Sequence, residues 1–356
     1  MEVRKPLALD DEVKRRALTP FRFLRGVLCL LVLISTALMM LVYLGFVSAV
    51  IVRLFSIRYS KRMSSRIFAC WLSLWPFLFE KINDTRVVFS GETVPAKESI
   101  LLLANHRTEV DWMYIWDLAL RKGRLGDIKK WDVDEPIMHQ MLSTMNDPQD
   151  PIWLAIFPEG TDFTEQKCIQ SQKYAADHGL PILTNVLLPK AKGFFVCMEK
   201  LRNSLDAVYD VTVGYKPRCP TLRDNVFGVN PSEVHIHIRR LPVSSIPDSE
   251  EEVGNWLTDT FHLKDKLLSE FYSRGHFPNE GTESELSMTK CLVNFVVALT
   301  LTSICIVLTF SSLRWLTYVL LVCVYLEFAT KFNFRPSPIF CFPNLWRKDN
   351  IKQALD

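Results

Sequence analysis

Two short polar clusters in this 356-residue chain carry the residue types for proton transfer: Asn105-His106-Arg107-Thr108-Glu109-Val110-Asp111 and Phe157-Pro158-Glu159-Gly160-Thr161. Histidine is the side chain best placed to accept a proton near neutral pH, and a carboxylate at its other ring nitrogen fixes the tautomer and stabilises the imidazolium. His106 with Asp111 fits that pattern, as the base an alcohol needs when it attacks a thioester. Positions five apart on a regular helix are separated by about 500° of rotation and do not face each other. His106 must therefore stand in a turn before the helix that carries Asp111. Taken alone the pair fits a satisfied structural histidine as well, and the second cluster is what separates the two readings.

The flanking sequence supplies elements to hold these turns. Ser99 to Ala104 is a continuous apolar run, the pattern of a strand buried on both faces, and it ends at Asn105-His106. Trp112 to Leu120 has helical spacing of large apolar residues, and Pro136 to Met145 reads as another short helix. Ile152 to Phe157 is a second buried strand, stopped by Pro158 and Gly160. Glu165 to His178 is a polar helix closed by Gly179, Asn185 to Leu188 a third strand, and Phe194 to Leu205 a further helix. Val208 to Val213 and Val234 to Leu241 are strands, with His235 and His237 on the polar, solvated or edge face of the second rather than set as metal ligands. Asp248 with Glu250, Glu251 and Glu252 opens the last helix of this region, at the positive end of its dipole. Strands alternating with helices predict an α/β domain with a mixed sheet, whose working residues sit where strands end.

The apolar residues concentrate at the two ends of the chain. Gly26 to Val52 carries no charged residue and exceeds the roughly 20 residues a bilayer core requires, far beyond the apolar region of a cleavable signal peptide. Cys291 to Leu313 is a second span, while Trp315 to Leu326 is short, so the C-terminus is either a helical hairpin or one crossing plus an interfacial piece. Ile67 to Phe79, with Trp71 and Trp75, reads as interfacial. The predicted organisation is a basic segment, transmembrane helix and interfacial segment over 1–85, an α/β domain over 86–280, and transmembrane segments with a tail over 281–356.

Net charge of +3 gives no argument for nucleic acid, and Lys14, Arg15, Arg16, Arg22, Arg25, Arg53, Arg58, Lys61, Arg62 and Arg66 flank the first span, where anionic lipid headgroups are their partners. The nine cysteines lack paired spacing, which fits a reducing compartment. The triplet Asn83-Asp84-Thr85 is a glycosylation sequon that matters only in a lumenal loop.

Asn-His-(four residues)-Asp followed by Phe-Pro-Glu-Gly-Thr resembles the two signature blocks of the glycerolipid acyltransferase family. Val186-Leu187-Leu188-Pro189 followed by Lys190-Ala191-Lys192-Gly193-Phe194 looks like that family's fourth, apolar-proline block. With the paired membrane ends, the likeness covers most of the chain and is closest to the endoplasmic-reticulum 1-acyl-sn-glycerol-3-phosphate (lysophosphatidic acid) acyltransferases of plants. The resemblance implies a multi-pass endoplasmic-reticulum membrane protein in phospholipid biosynthesis. It would transfer an acyl group from acyl-CoA, as co-substrate, to the sn-2 hydroxyl of lysophosphatidic acid to give phosphatidic acid, with no bound cofactor or metal and no covalent acyl-enzyme.

It implies roles for residues too. His106 would be the general base and Asp111 its orienting partner, while Glu159, Gly160 and Thr161 would help to hold the phosphorylated acceptor. A carboxylate repels phosphate, so Glu159 would bind a glycerol hydroxyl or order its loop. The near alternatives are another lysophospholipid acceptor and a poorly active membrane isoform.

Two departures from the family pattern matter. Where relatives follow Glu-Gly-Thr with a basic residue this chain has Asp162, which leaves Arg107, Lys190 and Lys192 as the cations for phosphate. The family's second block, an apolar strand ending in a phosphate-binding arginine, is also missing. Leu125 to Lys130 runs straight into Trp131-Asp132-Val133-Asp134-Glu135, as if a few tens of residues were absent. Loss of a strand and helix from inside the sheet predicts exposed apolar surface and displacement of His106 from Glu159.

Overall fold

The computed structural model describes residues 16–126, 128–130, 151–229 and 233–332, with 334, 336, 337 and 339. In chain order it contains helices α1 (Pro20–Phe55) and α2 (Ile57–Leu72), strands β1 (Arg86–Gly91) and β2 (Ile100–Ala104), and helix α3 (Asp111–Arg121). These are followed by β3 (Ile128–Lys130), β4 (Trp153–Ile156), α4 (Glu165–Asp177), α5 (Ala191–Leu201) and β5 (Ala207–Lys216). The last elements are α6 (Leu222–Phe227), β6 (Glu233–Pro242), α7 (Glu250–Arg274), α8 (Met288–Ser311) and α9 (Leu313–Lys331). The chain divides into two compact units, Met1–Gly26 with Pro76–Ser287 and Val27–Trp75 with Met288–Asp356.

The first unit is a six-stranded mixed sheet in the order β1-β6-β5-β2-β4-β3. All neighbours run parallel except β5 and β6. The two apolar runs seen in the sequence are adjacent strands at the centre, with Leu102 opposite Ala155 on one side and Tyr209 on the other. Every residue of β2 is buried, as a strand covered by helices on both faces must be. One face packs Leu101, Leu103, Leu154 and Val208 against Phe194, Cys197 and Leu201 of α5 and Leu257, Phe261 and Leu268 of α7. Gly214 permits that approach, because a Cβ there would stand 2.8 Å from the Phe271 ring. Helix α3 adds Met113, Tyr114, Ile115 and Leu118, each at most 1% exposed.

Three expectations are corrected in this unit. Asn185 to Leu188 is not a strand, because side chains occupy its backbone donors. Asn185 N–H goes to Asp265 (2.5 Å), Leu187 N–H to Glu159 (2.9 Å) and Leu188 N–H to Ser171 (3.0 Å). His235 is neither solvated nor on an edge: β6 lies between β1 and β5, and the ring, 3% exposed, meets Glu280 at 3.1 Å and Glu233 at 3.3 Å. His237 Nδ1 lies 3.0 Å from the Ser90 hydroxyl. The sheet also closes without the missing block, since β2 pairs directly with β4 while Ile128–Lys130 forms an outer strand. The helix expected over Pro136 to Met145 lies outside the described residues. Asn83, the sequon residue, is buried, and its amide donates to the carbonyls of Asn225 and Val226, so it offers no acceptor for a glycan in the folded unit.

In the second unit, α1, α8 and α9 are long and apolar enough to cross a membrane. The C-terminal region is thus a hairpin of two such helices, broken where Ser312 is extended (φ −160°) and its hydroxyl caps α9. Tyr43 OH meets the Thr309 hydroxyl at 2.8 Å, and Val42, Val319 and Val322 pack together, so α1 is tied to both arms. Helix α2 begins at an N-cap, Ser56, and brings Trp71 Nε1 to the carbonyl of Leu33 (3.1 Å). No disulfide joins cysteines among the described residues.

The segment Pro76 to Thr85 belongs with the sheet because Phe79 packs on Tyr114 (5.0 Å) and Glu80 meets Arg121 at 2.6 Å. Arg121 also holds Asp117 (3.1 Å). Burial, then the charge of Asp117, pushes the Glu80 carboxyl up to about 8, against the pull of Arg121. Folding therefore raises the proton affinity of Glu80. The stability this gives is complete below its ordinary value of 4.5 and is lost as pH rises through about 8. The thermal midpoint of the purified protein should fall as pH is raised from about 5 to about 9, and Glu80→Gln should flatten that fall; an unchanged slope in the variant would show that another group carries it.

Candidate functional site

The two polar clusters meet at the ends of β2 and β4. Asn105 ends β2 in a way that accounts for its residue type: its side chain donates to Val213 O (3.0 Å) and accepts from Val213 N–H (2.7 Å), which prolongs the pairing with β5. His106 follows in the turn before α3. Its Nδ1 lies 2.8 Å from Asp111 Oδ2, at the first residue of that helix. A carboxylate only accepts, so Nδ1 carries the proton and Nε2 presents its lone pair. The His106 ring packs on Phe157, with centroids 4.6 Å apart, and its side chain is 16% exposed.

Asp111 is fully buried, and its donors account for both oxygens. Besides the imidazole, Oδ2 accepts from the backbone N–H groups of Arg107 (2.5 Å) and Thr108 (2.9 Å), and Oδ1 accepts from the Tyr215 hydroxyl. Tyr215 comes from β5 and was not picked out in the sequence, where one aromatic in a buried strand looks like any other core residue. Burial of the His106 ring opposes its charged form, but the hydrogen bond and charge of Asp111, with Glu159 and Asp162 further off, outweigh this. His106 therefore titrates above the ordinary histidine value.

The second cluster is a turn tied to the first. Phe157 O accepts from Gly160 N–H (3.0 Å), and Gly160 adopts φ +69°, which a side chain would resist. Glu159 is 2% exposed and points inward: Oε1 accepts from His106 N–H (2.8 Å) and Oε2 from Leu187 N–H (2.9 Å). Burial raises its carboxyl to about 7 against these two backbone bonds and the nearby Arg107. Of the two roles open to Glu159, the geometry is that of ordering the loop. Phe163 N–H also donates to His106 O (2.8 Å). The displacement of His106 from Glu159 expected from the missing block is thus corrected, since the two are directly bonded.

The cations lie in different settings. Arg107 is 4% exposed; its guanidinium donates to Asn185 O (2.5 Å) and stands 4.3 Å from the Phe163 ring centroid, so it is committed within the domain. Lys190 lies against Gly160, its Nζ 3.2 Å from where a Cβ would stand. Lys192 is exposed on the first turn of α5. A fourth cation was missed: Lys167 of α4 reaches Thr161 (2.6 Å) and Asp162 (2.7 Å), and its hydrogen bond is the first reason the Asp162 carboxyl is held below its ordinary value. Lys167 thus returns to this turn the positive charge that Asp162 takes away.

A model for the "Acyltransferase C-terminus" family matches residues 225–298. Over 351 positions the chain is 55% identical to the "Probable 1-acyl-sn-glycerol-3-phosphate acyltransferase 5" of Arabidopsis thaliana, covering 90% of this chain and 94% of that one. It is 32% identical to the "Lysocardiolipin acyltransferase 1" of Mus musculus, over 71% and 78% of the two chains. To the "1-acyl-sn-glycerol-3-phosphate acyltransferase 2" of Brassica oleracea it is 35% identical over 52% and 54%. The first alignment has more positions than 90% of 356 residues can fill, so a few tens of positions in the relative have no counterpart here. The crystal structure of the 1-acyl-sn-glycerophosphate (LPA) acyltransferase PlsC from Thermotoga maritima superposes with a TM-score of 0.43 at 16% identity, over 71% of this chain and 98% of that one.

The dyad makes two opposed pH predictions. Used as a base for transfer, His106 would work only when neutral, and the rate should rise with pH through its elevated value. Asp111→Asn removes the charge that favours imidazolium and should move this limb to lower pH while lowering the rate. Tyr215→Phe leaves the carboxylate with one donor fewer, strengthens its hold on the imidazolium and should move the limb up. Rate against pH for the three proteins checks this, and shifts of the same sign in both variants would contradict the arrangement.

Proposed function

The chain belongs to the glycerolipid acyltransferase family and is an O-acyltransferase, and we propose that it acylates lysophosphatidic acid at the sn-2 hydroxyl, with acyl-CoA as donor, to give phosphatidic acid at the endoplasmic-reticulum membrane. The observation that carries this reading is the His106–Asp111 dyad, with Nε2 open, bonded through Glu159 to the Gly160–Thr161 turn. Nε2 takes the proton from the acceptor hydroxyl as its oxygen attacks the thioester carbonyl. The tetrahedral oxyanion collapses, the carbon–sulfur bond breaks, and the proton held on His106 passes to the leaving CoA thiolate. Asp111 stabilises the imidazolium between the two transfers. The acceptor's phosphate sits beside the Gly160–Thr161 turn, met by Lys190 and Lys192, since the Gly160 N–H is already given to Phe157 O. The similarity to lysocardiolipin acyltransferases favours a second reading, in which the acceptor is another lysophospholipid and the chemistry is unchanged.

In membranes lacking endogenous activity, supplied with acyl-CoA and a panel of lysophospholipids, lysophosphatidic acid should be the preferred acceptor. His106→Ala should lower transfer by a factor on the order of 10²–10⁴ without altering membrane insertion. Activity within a few-fold of the parent would remove His106 from the role of base, and preference for a diacidic or neutral-headgroup acceptor would favour the second reading.

The missing block bears on binding rather than on alignment of the base, because His106 and Glu159 are already in register. Each hydrogen bond to a charged group contributes about 1.5–3 kcal/mol. Restoring the absent segment from a relative, with its phosphate-binding arginine, should therefore lower KM for lysophosphatidic acid by roughly one to two powers of ten and leave kcat within a few-fold. Equal KM values would show that the cations present already complete the phosphate site.

A further inference from the structure

Helix α7 carries two neighbouring charged residues that face the catalytic turn from behind, and neither touches the reacting groups. Lys264 is 1% exposed; its ammonium reaches Asp210 (2.6 Å) and Val211 O (2.6 Å) of β5, with Leu103 O of β2 at 3.4 Å. It therefore clamps the two central strands just before Asn105 and His106. A lysine this deep is rare and persists only where its charge is paired.

Asp265, 7% exposed, points to the other side. Its Oδ1 accepts from the backbone N–H groups of Thr184 (2.9 Å) and Asn185 (2.5 Å), and its Oδ2 lies 3.2 Å from the Thr184 hydroxyl. Asn185 is further fixed from α7, since its side-chain amide donates to Ser269 Oγ (2.8 Å) and Asp265 O (3.3 Å). The segment held this way makes two contacts with the catalytic turn. Asn185 O accepts from the Arg107 guanidinium, and Leu187 N–H donates to Glu159, whose other oxygen takes His106 N–H.

We propose that Asp265 is a positioning residue for acyl transfer: by fixing Thr184 and Asn185 it holds the segment that fixes Glu159 and Arg107, and through them the backbone of His106. This rests on His106 being the base of the proposed reaction, but the mechanical link can be tested without turnover. The 184–188 segment forms no ladder hydrogen bonds, so side chains are what hold it, and Asp265 alone supplies two of its backbone contacts. Removing that anchor frees the Leu187 N–H from Glu159 and lets the base drift from the hydroxyl, where misplacement by about 1 Å costs on the order of 10²-fold.

The experiment compares the full-length protein in membranes or detergent with Asp265→Asn, with Asp265→Glu and with the milder Ser269→Ala, which removes one of the Asn185 amide's acceptors and the hydroxyl's own bond to Asp265 O while leaving the Asp265 carboxylate in place. Two quantities are measured, each per folded molecule and well below the thermal midpoint. They are kcat and KM for both substrates, and amide hydrogen exchange in peptides covering 105–108 and 184–188. Asp265→Asn should lower kcat by roughly ten- to a hundredfold with KM within about threefold, and exchange should quicken in both peptides but not in β5. Ser269→Ala should move both readouts the same way by less, and Asp265→Glu should recover part of the loss. An unchanged kcat, or unchanged exchange over 105–108, would overturn the proposal, as would a general rise in exchange across the sheet. Should Asp265→Asn fail to fold, Ser269→Ala and Asp265→Glu decide by the same readouts. Absence of transfer in the parent protein would sink the acyltransfer reading of this chain, while the exchange pattern would still decide whether Asp265 holds the turn.

Discussion

A carboxylate with no access to water must be surrounded by donors or be driven neutral, and Asp111 sets that constraint on the whole sheet unit. The imidazole of His106, the backbone N–H groups of Arg107 and Thr108 and the hydroxyl of Tyr215 all converge on it. These partners come from the turn after β2 and from the central strand β5, so the sheet has to be assembled before the charge can be accommodated. Hydrogen bonds to an ionised group are individually stronger than neutral ones, and an unpaired buried charge is costly. The same bonds that make Asp111 tolerable fix the tautomer of His106.

Glu159 applies a similar constraint from the opposite side. Both of its oxygens are taken by backbone donors, one from the His106 turn and one from the segment 184–188, so it acts as a brace between three stretches of chain. The charges behind the sheet follow the same logic. Burial pulls the Lys264 ammonium below its ordinary value while Asp210 restores part of its charge, and Arg239 holds the second oxygen of Asp210 at 2.9 Å.

Much of this was legible in the residues. The buried strands β2 and β4 were visible as continuous apolar runs, and the turn conformation of His106 followed from the failure of a five-residue spacing on a helix. The spans α1 and α8 stood out by length. What was hidden depended on long-range partners. Asn185 to Leu188 has the composition of a strand, but side chains from α4, α7 and the Glu159 turn reach its N–H groups first. His235 alternates as a surface residue would, yet β1 covers the edge where it was expected to meet solvent. Tyr215 and Lys167 carry no local signal, because their importance lies in what a distant strand or the next helical turn brings beside them. The helix α9 was undervalued because Arg314 and Glu327 near its ends shorten its uncharged core without shortening the helix.

The hydrogen bond between the His106 backbone and Glu159 has a consequence for how the chain can vary. It closes the loop from the end of β2 to the turn after β4 directly, so the site does not depend on a fixed contour length between its two halves. Loop-closure entropy grows only logarithmically, with each doubling of length costing about 0.6 kcal/mol. Segments between Arg121 and Trp153 can therefore be gained or lost at small thermodynamic cost to the reacting geometry, so long as β4 still pairs with β2.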